Sequence, residues 1–326
     1  MVIVSDSTGK ELRALVFDSY DIEVGDDKND FEVKILIPDW ETIPDGARIY
    51  IPDTEYGGMY RTTEVDTKQG YIAVGGSTWR GMLKQKIIQP PAGQDYAAYS
   101  GDINTIIGSM VTDAFGGLFT GASPYGVTLS GQFNRYVTLY DGLTAMLKRA
   151  KCKLNIKYDQ IQKKVVVSAS PIVDFSNSIE FSDDLRANYY VRMDGSGVNH
   201  LICLGSGQLK DRTVVNLYVD MDGNISQTQT FFGADEIASV YDYAGAAEAQ
   251  LIQSGTQQLR TLRSINKFTV DIEGGGNAIE VGDIVGGRDY VSGITMKAPI
   301  TGKIVKWYEG AETTEYTISD NVEVRR

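Results

Sequence analysis

The sequence predicts a β-rich α+β chain of several domains, and three observations carry that prediction. At 326 residues it exceeds what one hydrophobic core commonly organises. It holds 35 glycines and 19 tyrosines, a surplus that suits many turns and half-exposed strands. Period-two alternation of apolar and polar residues recurs along it, interrupted by a few helical stripes.

The first module spans residues 1–85. Phe31, Val33, Ile35 and Ile37 alternate with Glu32 and Lys34, which defines a half-buried strand that Pro38 ends. An extended run is expected over 12–17, and a second short strand over 48–51 after the turn Pro44-Asp45-Gly46. Residues 59–65 read as the outgoing arm of a hairpin, 66–70 as its turn with Gly70 supplying positive φ, and 71–74 as the return arm. The return arm is expected to stop at Gly75-Gly76, before a knuckle at Thr78-Trp79-Arg80-Gly81. Together these make a small antiparallel barrel or sandwich.

After a linker over 89–100 containing Pro90-Pro91, residues 90–175 form an α+β module. Asp102 can cap a helix with Ile103, Ile106, Ile107, Met110 and Val111 on one stripe. A Gly-rich loop over 116–131 leads to a second helix over 139–150, marked by Leu139, Leu143, Met146 and Leu147. A hairpin follows, with Cys152, Leu154, Ile156 and Tyr158 on one face, Lys151, Lys153, Asn155 and Lys157 on the other, and 164–169 returning.

Residues 180–263 form a third, β-rich module with trailing helices. Four strands fall within 187–232, the last two joined at Asp220-Met221-Asp222-Gly223-Asn224. A helical stretch over 244–263 carries Leu251, Leu259 and Leu262, and Gly255 costs it about 1 kcal/mol against Ala, enough to open a break. The fourth module, 264–326, repeats the first. Asn266-Lys267-Phe268-Thr269-Val270-Asp271-Ile272 echoes Asn29-Asp30-Phe31-Glu32-Val33-Lys34-Ile35, and Gly282-Asp283-Ile284-Val285 follows as Gly46-Ala47-Arg48-Ile49 does. A hairpin over 303–307 and 313–319 closes it. Three elements in matching order predict duplicated modules that fold alike and pack side by side.

Net charge is −12, and residues 1–70 hold sixteen carboxylates against seven bases, a net of −9. Such a surface repels phosphate and excludes a sequence reader of nucleic acid. It is either a solvated face or a ring of carboxylates lining a passage, and Asp26, Asp27 and Asp30, clustered in one loop, are the candidate acidic rim. No apolar run approaches the roughly 20 residues of a membrane span. The charged start, with Asp6, Lys10, Glu11 and Arg13, does not read as a signal peptide. Cys152 and Cys203 read as buried thiols of a protein made in a reducing cytoplasm.

No catalytic, metal or cofactor site is expected. His200 is the single histidine, and Cys203, three residues on in a strand, points to the opposite face. One His and two separated Cys make a poor zinc set. The Asp220–Asn224 run opens like a calcium loop, but Phe231 stands where the twelfth-position Glu belongs. Gly205-Ser206-Gly207 and Gly274-Gly275-Gly276 lack the strand and helix of a nucleotide loop and read as turns. Carboxylate pairs such as Asp183 with Asp184, or Asp220 with Asp222, leave a hydrolase formally open with nothing favouring either pair.

The wording of 56–83, together with Val198-Asn199-His200-Leu201-Ile202-Cys203-Leu204-Gly205, Asp211-Arg212 and Val281-Gly282-Asp283-Ile284-Val285-Gly286-Gly287, closely resembles the siphophage and prophage tail-associated, or baseplate hub, proteins, over nearly the whole chain in order. The resemblance implies a virion structural protein of the tail tip, with β-barrel tube domains at 1–85 and 264–326. Three copies would form a pseudo-sixfold ring, assembled in the bacterial cytoplasm, between tail tube and fibre or tail-lysin proteins of the same phage. Relatives often carry a hydrolase or fibre-like region after the hub; with the sequence ending at Arg326, none is expected here. The rivals are a module binding cell-wall glycans through its tyrosines, and a cell-wall hydrolase.

Overall fold

The computed structural model describes residues 1–176, 180–181, 187–192, 196–221, 223–263, 267–273, 279–288, 295–318 and 323–325. It is β-rich, with 42% strand against 19% helix. The chain divides into two compact units. One comprises Met1–Asn188, Val270–Gly286 and Pro299–Thr317; the other comprises Tyr189–Thr269, Gly287–Ala298 and Ile318–Arg326.

In chain order the elements begin with β1 (Ile3–Ser5), β2 (Glu11–Ala14), β3 (Ser19–Gly25), β4 (Asp30–Leu36), β5 (Arg48–Tyr50), β6 (Gly57–Met59), β7 (Thr62–Asp66), β8 (Tyr71–Ser77) and α1 (Trp79–Lys84). Then come β9 (Ile87–Ile88), β10 (Ala98–Asp102), α2 (Ile103–Phe115), β11 (Phe119–Gly121), β12 (Thr128–Gln132), β13 (Val137–Thr138), α3 (Leu139–Arg149), β14 (Cys152–Asp159) and β15 (Lys164–Pro171). After β16 (Glu180–Phe181) and β17 (Ala187–Arg192) follow β18 (His200–Leu204), β19 (Val214–Val219), β20 (Ile225–Ser226), β21 (Ala238–Asp242) and α4 (Glu248–Leu262). The chain closes with β22 (Lys267–Glu273), β23 (Ile284–Arg288), β24 (Thr295–Tyr308), β25 (Ala311–Ile318) and β26 (Glu323–Arg325).

In the first unit, a sheet of order β2-β1-β5-β6 and a path β24-β3-β4-β8-β7 share one apolar core. Val4 and Ile49 contribute from the former; Ile22, Val33, Ile35, Val74 and Val305 contribute from the latter. Among the described residues no sheet closes into a barrel. A second core joins α2 and α3 to the β14–β15 hairpin around Trp79 and Tyr158, whose rings stack 5.4 Å apart. Alternation does the work here: Cys152, Leu154, Ile156 and Tyr158 are buried, and the lysines between them are not. Asp102 caps α2 as expected, accepting from the backbone N–H of Asn104 (2.9 Å) and Thr105 (3.3 Å), and it also holds the N–H groups of Tyr125 and Gly126.

Several local expectations are corrected. Residues 59–65 are not one arm: Gly57–Met59 pairs with β5, whereas Thr62–Asp66 pairs with β8. The chain crosses between the sheets at Tyr60 and Arg61, whose N–H groups donate to Ala47 and Gly75 carbonyls. The return arm runs through Gly75 and Gly76 to Ser77. A Cβ on Gly75 would lie 2.5 Å from the Phe31 carbonyl oxygen, and one on Gly76 2.2 Å from that of Met59, so glycine serves close backbone approach, not termination. The knuckle is the start of α1, capped by the Thr78 hydroxyl accepting from Gly81 N–H at 3.2 Å. The expected strand over 12–17 ends at Ala14, and a strand not anticipated, β3, follows.

In the second unit, α4 covers one face of a sheet of order β20-β19-β18-β21, burying Leu201, Cys203, Val215, Leu217 and Leu251. The helix is unbroken at Gly255, which packs on the sheet: a Cβ there would sit 2.5 Å from Cys203 Sγ. The side chains of β22, which carry the echo Phe268, Val270 and Ile272, lie outside the described residues, as do all of Gly274-Gly275-Gly276.

Candidate functional site

The path β24-β3-β4-β8-β7 has two unlike faces. Tyr20, Ile22, Val24, Phe31, Val33, Ile35, Ile72, Val74 and Val305 turn inward to the core. The alternate positions turn outward, and on β3 and β4 most of them are charged: Asp21, Glu23, Asp30, Glu32 and Lys34. Register sets Asp21 directly opposite Glu32 on β4 and Lys306 on β24, and sets Glu64 opposite Ala73. These residues line an open groove of about 910 Å³, bounded by Asp21, Glu23, Asp30, Glu32 and Glu64, with Lys28, Arg61 and Lys306 as its bases. Its floor is the small-residue strand Ala73 to Ser77.

Carboxylates opposed across neighbouring strands destabilise each other. Burial, opposed by Lys306 and reinforced by Glu315, Asp30 and Glu32, holds the Asp21 carboxyl above its ordinary range. Glu23 is raised likewise by burial, against Lys28, with Asp30, Asp21 and Asp27 adding to the shift. Compensation is partial and peripheral. Lys34 sits 3.5 Å from Glu32, Lys28 3.9 Å from Glu23, and Lys306 2.6 Å from Glu315. The face carries more carboxylates than bases. It repels anions that come within a Debye length, roughly 8 Å at 0.15 M salt.

Of the rim proposed from sequence, Asp30 lines the groove, while Asp26 and Asp27 lie beside it in the exposed β3–β4 turn. Asp26 accepts from the Tyr140 hydroxyl at 2.7 Å, and Lys84 Nζ donates to the backbone carbonyls of Asp26 and Asp27. Buried Asn29 ties the turn with both side-chain atoms to Gly25, at 2.9 and 2.7 Å. Asp21, Glu23 and Glu64 escaped the sequence reading. The signal for two of them is the alternation Tyr20-Asp21-Ile22-Glu23-Val24.

The other candidate residues do not assemble. His200 stacks on Tyr218 at 4.3 Å, with Nδ1 2.5 Å from Glu236 and Nε2 2.9 Å from Asn216 Oδ1. Cys203 is buried under α4, its thiol pushed up by burial, and no His–Cys pair forms. The Asp220 carboxylate accepts from Asn224 N–H at 2.8 Å and closes a turn; Asp222, Asp183 and Asp184 lie outside the described residues. Among the described residues no group of three or more His, Cys, Asp and Glu is placed to hold a metal. No helix there is long and apolar enough to cross a membrane. Both cysteines are free thiols.

No protein-family model matches the sequence, and no curated protein does. Solved structures do. A tail protein from Neisseria meningitidis is 14% identical, with a TM-score of 0.54, over 98% of this chain and 96% of that one. The 43 kDa tail protein of prophage MuSo2 from Shewanella oneidensis is 12% identical, with a TM-score of 0.59, over 98% of each chain. At such identities the likeness establishes the fold, and the fold of this chain is that of phage tail proteins.

Proposed function

We propose that this chain is a structural hub of a phage or prophage tail tip, a trimeric ring that joins the tail tube to the distal baseplate or fibre and performs no chemistry of its own. The observation that carries the reading is the fold, matched end to end with tail proteins over 98% of this chain. The acidic groove supports it: five carboxylates against three bases on one sheet face suit a passage along which phosphate must not stick. The reading takes 1–85 and 264–326 as the two tube modules. In its support, Gly302 to Tyr308 of the second pairs antiparallel with Ser19 to Gly25 of the first. Barrel closure then belongs to the ring, and the partners are other tail proteins of the same particle. Electron microscopy of the purified protein tests this. Threefold rings with an open axis are expected; hydrolytic turnover on peptidoglycan, or only isolated monomers on addition of tail-tube protein, would overturn it.

A further inference from the structure

A slot of about 190 Å³ lies between the loop 53–56 and the strand β14, walled by Arg80 and Glu280. The loop is rigid: Thr54 Oγ1 donates to the Ile51 carbonyl and accepts from Tyr56 N–H, and the Thr54 carbonyl accepts from Tyr158 N–H. The bases here are committed. Arg80 gives both Nε (3.0 Å) and an Nη (2.7 Å) to a single oxygen, Oε2 of Glu55. Lys153 pairs with fully buried Asp283 at 2.5 Å, and Lys157 pairs with Asp53 at 3.1 Å. Lys303 donates to the Ile279 carbonyl at 3.0 Å, reaches Glu280 at 3.4 Å, and lies between the Tyr56 and Tyr316 rings.

Acceptor capacity is left over. Glu55 is 7% exposed, and its Oε1 is buried with no hydrogen-bond partner among the described residues. Glu280, whose carboxylate meets Lys303 Nζ at 3.4 Å, lines the same slot. A buried carboxylate oxygen lacking a donor forgoes the free energy of a charge-assisted bond.

We propose that this slot receives one primary ammonium group, which gives its N–H donors to Glu55 Oε1 and the Glu280 carboxylate. An ammonium is compact enough for the volume and carries three donors; a quaternary amine carries none. Lysine side chains of a docked protein and small free amines share this chemistry. The site must bind ionised Glu280. Burial raises that carboxyl, against Lys303, and Glu55 raises it further, while Lys153 opposes the rise. Affinity therefore increases as pH rises through the Glu280 titration. The proposal does not depend on the hub reading.

Titration calorimetry on the full chain tests it, with n-butylammonium, tetramethylammonium and Nα-acetyl-lysine methylamide at matched ionic strength. Saturable binding of the two primary amines and none of tetramethylammonium is expected. Tighter binding of the lysine derivative assigns a protein side chain, and equal binding assigns a free amine. Glu280→Gln should weaken binding about tenfold, as loss of a charge-assisted hydrogen bond implies, and should flatten its pH dependence. Glu280 is the chosen position because its side chain is 43% exposed, so folding survives the change. Equal heats for all three cations, or undiminished binding in Glu280→Gln, would overturn the proposal.

Discussion

Removing charge from the groove should stabilise the fold. In Asp21→Asn/Glu23→Gln, two carboxyls raised by burial and by their neighbours become neutral isosteres. Asp21 faces Glu32 directly and feels Glu315 and Asp30 as well, against one lysine, Lys306, whose ammonium already contacts Glu315. Opposed like charges across strands cost 0.2–1 kcal/mol, and water screens groups this open to solvent, so about 0.5 kcal/mol per site is the reasonable figure. The double variant should gain about 1 kcal/mol at neutral pH, a rise in Tm of about 2–4 °C. The pH dependence has a definite sign. A carboxyl raised in the folded state stabilises it most below its unfolded pKa, near 4, and that contribution is lost as pH rises through the folded value. The gap between variant and wild type should therefore be near zero below about pH 4 and widen towards pH 7. Urea denaturation across that range measures it. A variant less stable at pH 7, or a gap independent of pH, would refute the reasoning.

Other outcomes follow from the same contacts. Gly255→Ala should destabilise by about 1–3 kcal/mol despite its better helix propensity, because the new methyl meets Cys203 Sγ at 2.5 Å and Leu217 Cδ1 at 2.9 Å; a denaturation midpoint reports it. Arg80→Met leaves Glu55 buried and unpaired, costing about 3–5 kcal/mol, and adding Glu55→Gln should restore most of the loss. Asp102→Ala should fray the start of α2 and release Tyr125 and Gly126, seen as faster amide exchange there. Backbone hydrogen bonds hold the Asp102 carboxyl low against burial, so this support is present at neutral pH and fades as pH falls through the lowered value. Truncation before Ser264 strips β24 from β3 and should give an aggregating product.

Much of the fold was legible because its signals are local. The β14–β15 hairpin, the Asp102 cap and the stripe Ile103, Ile106, Ile107 and Val111 each follow from a few adjacent residues. The strand β3 was missed because alternate positions carry Asp21 and Glu23: a sheet with a charged outer face resembles an acidic loop in composition. Gly75, Gly76 and Gly255 misled for one reason, that each is glycine to admit a distant neighbour, which no local pattern records. The slot was beyond reach, since residues 53–56, 80, 153–157 and 280 meet only in the fold. The charge excess of 1–70 was plain in the sequence, but which of its carboxylates share the groove required the register.

The central claim is a ring of three with the acidic faces sharing one axis. Three copies bring −27 from residues 1–70, at −9 each. Screening shortens from about 30 Å at 0.01 M salt to about 8 Å at 0.15 M, so self-repulsion among those faces is strongest in dilute salt. Light-scattering mass across a salt series tests this most directly. The trimer fraction should rise between dilute and moderate ionic strength; a trimer that dissociates as salt rises, held by contacts of opposite charge, would contradict the account.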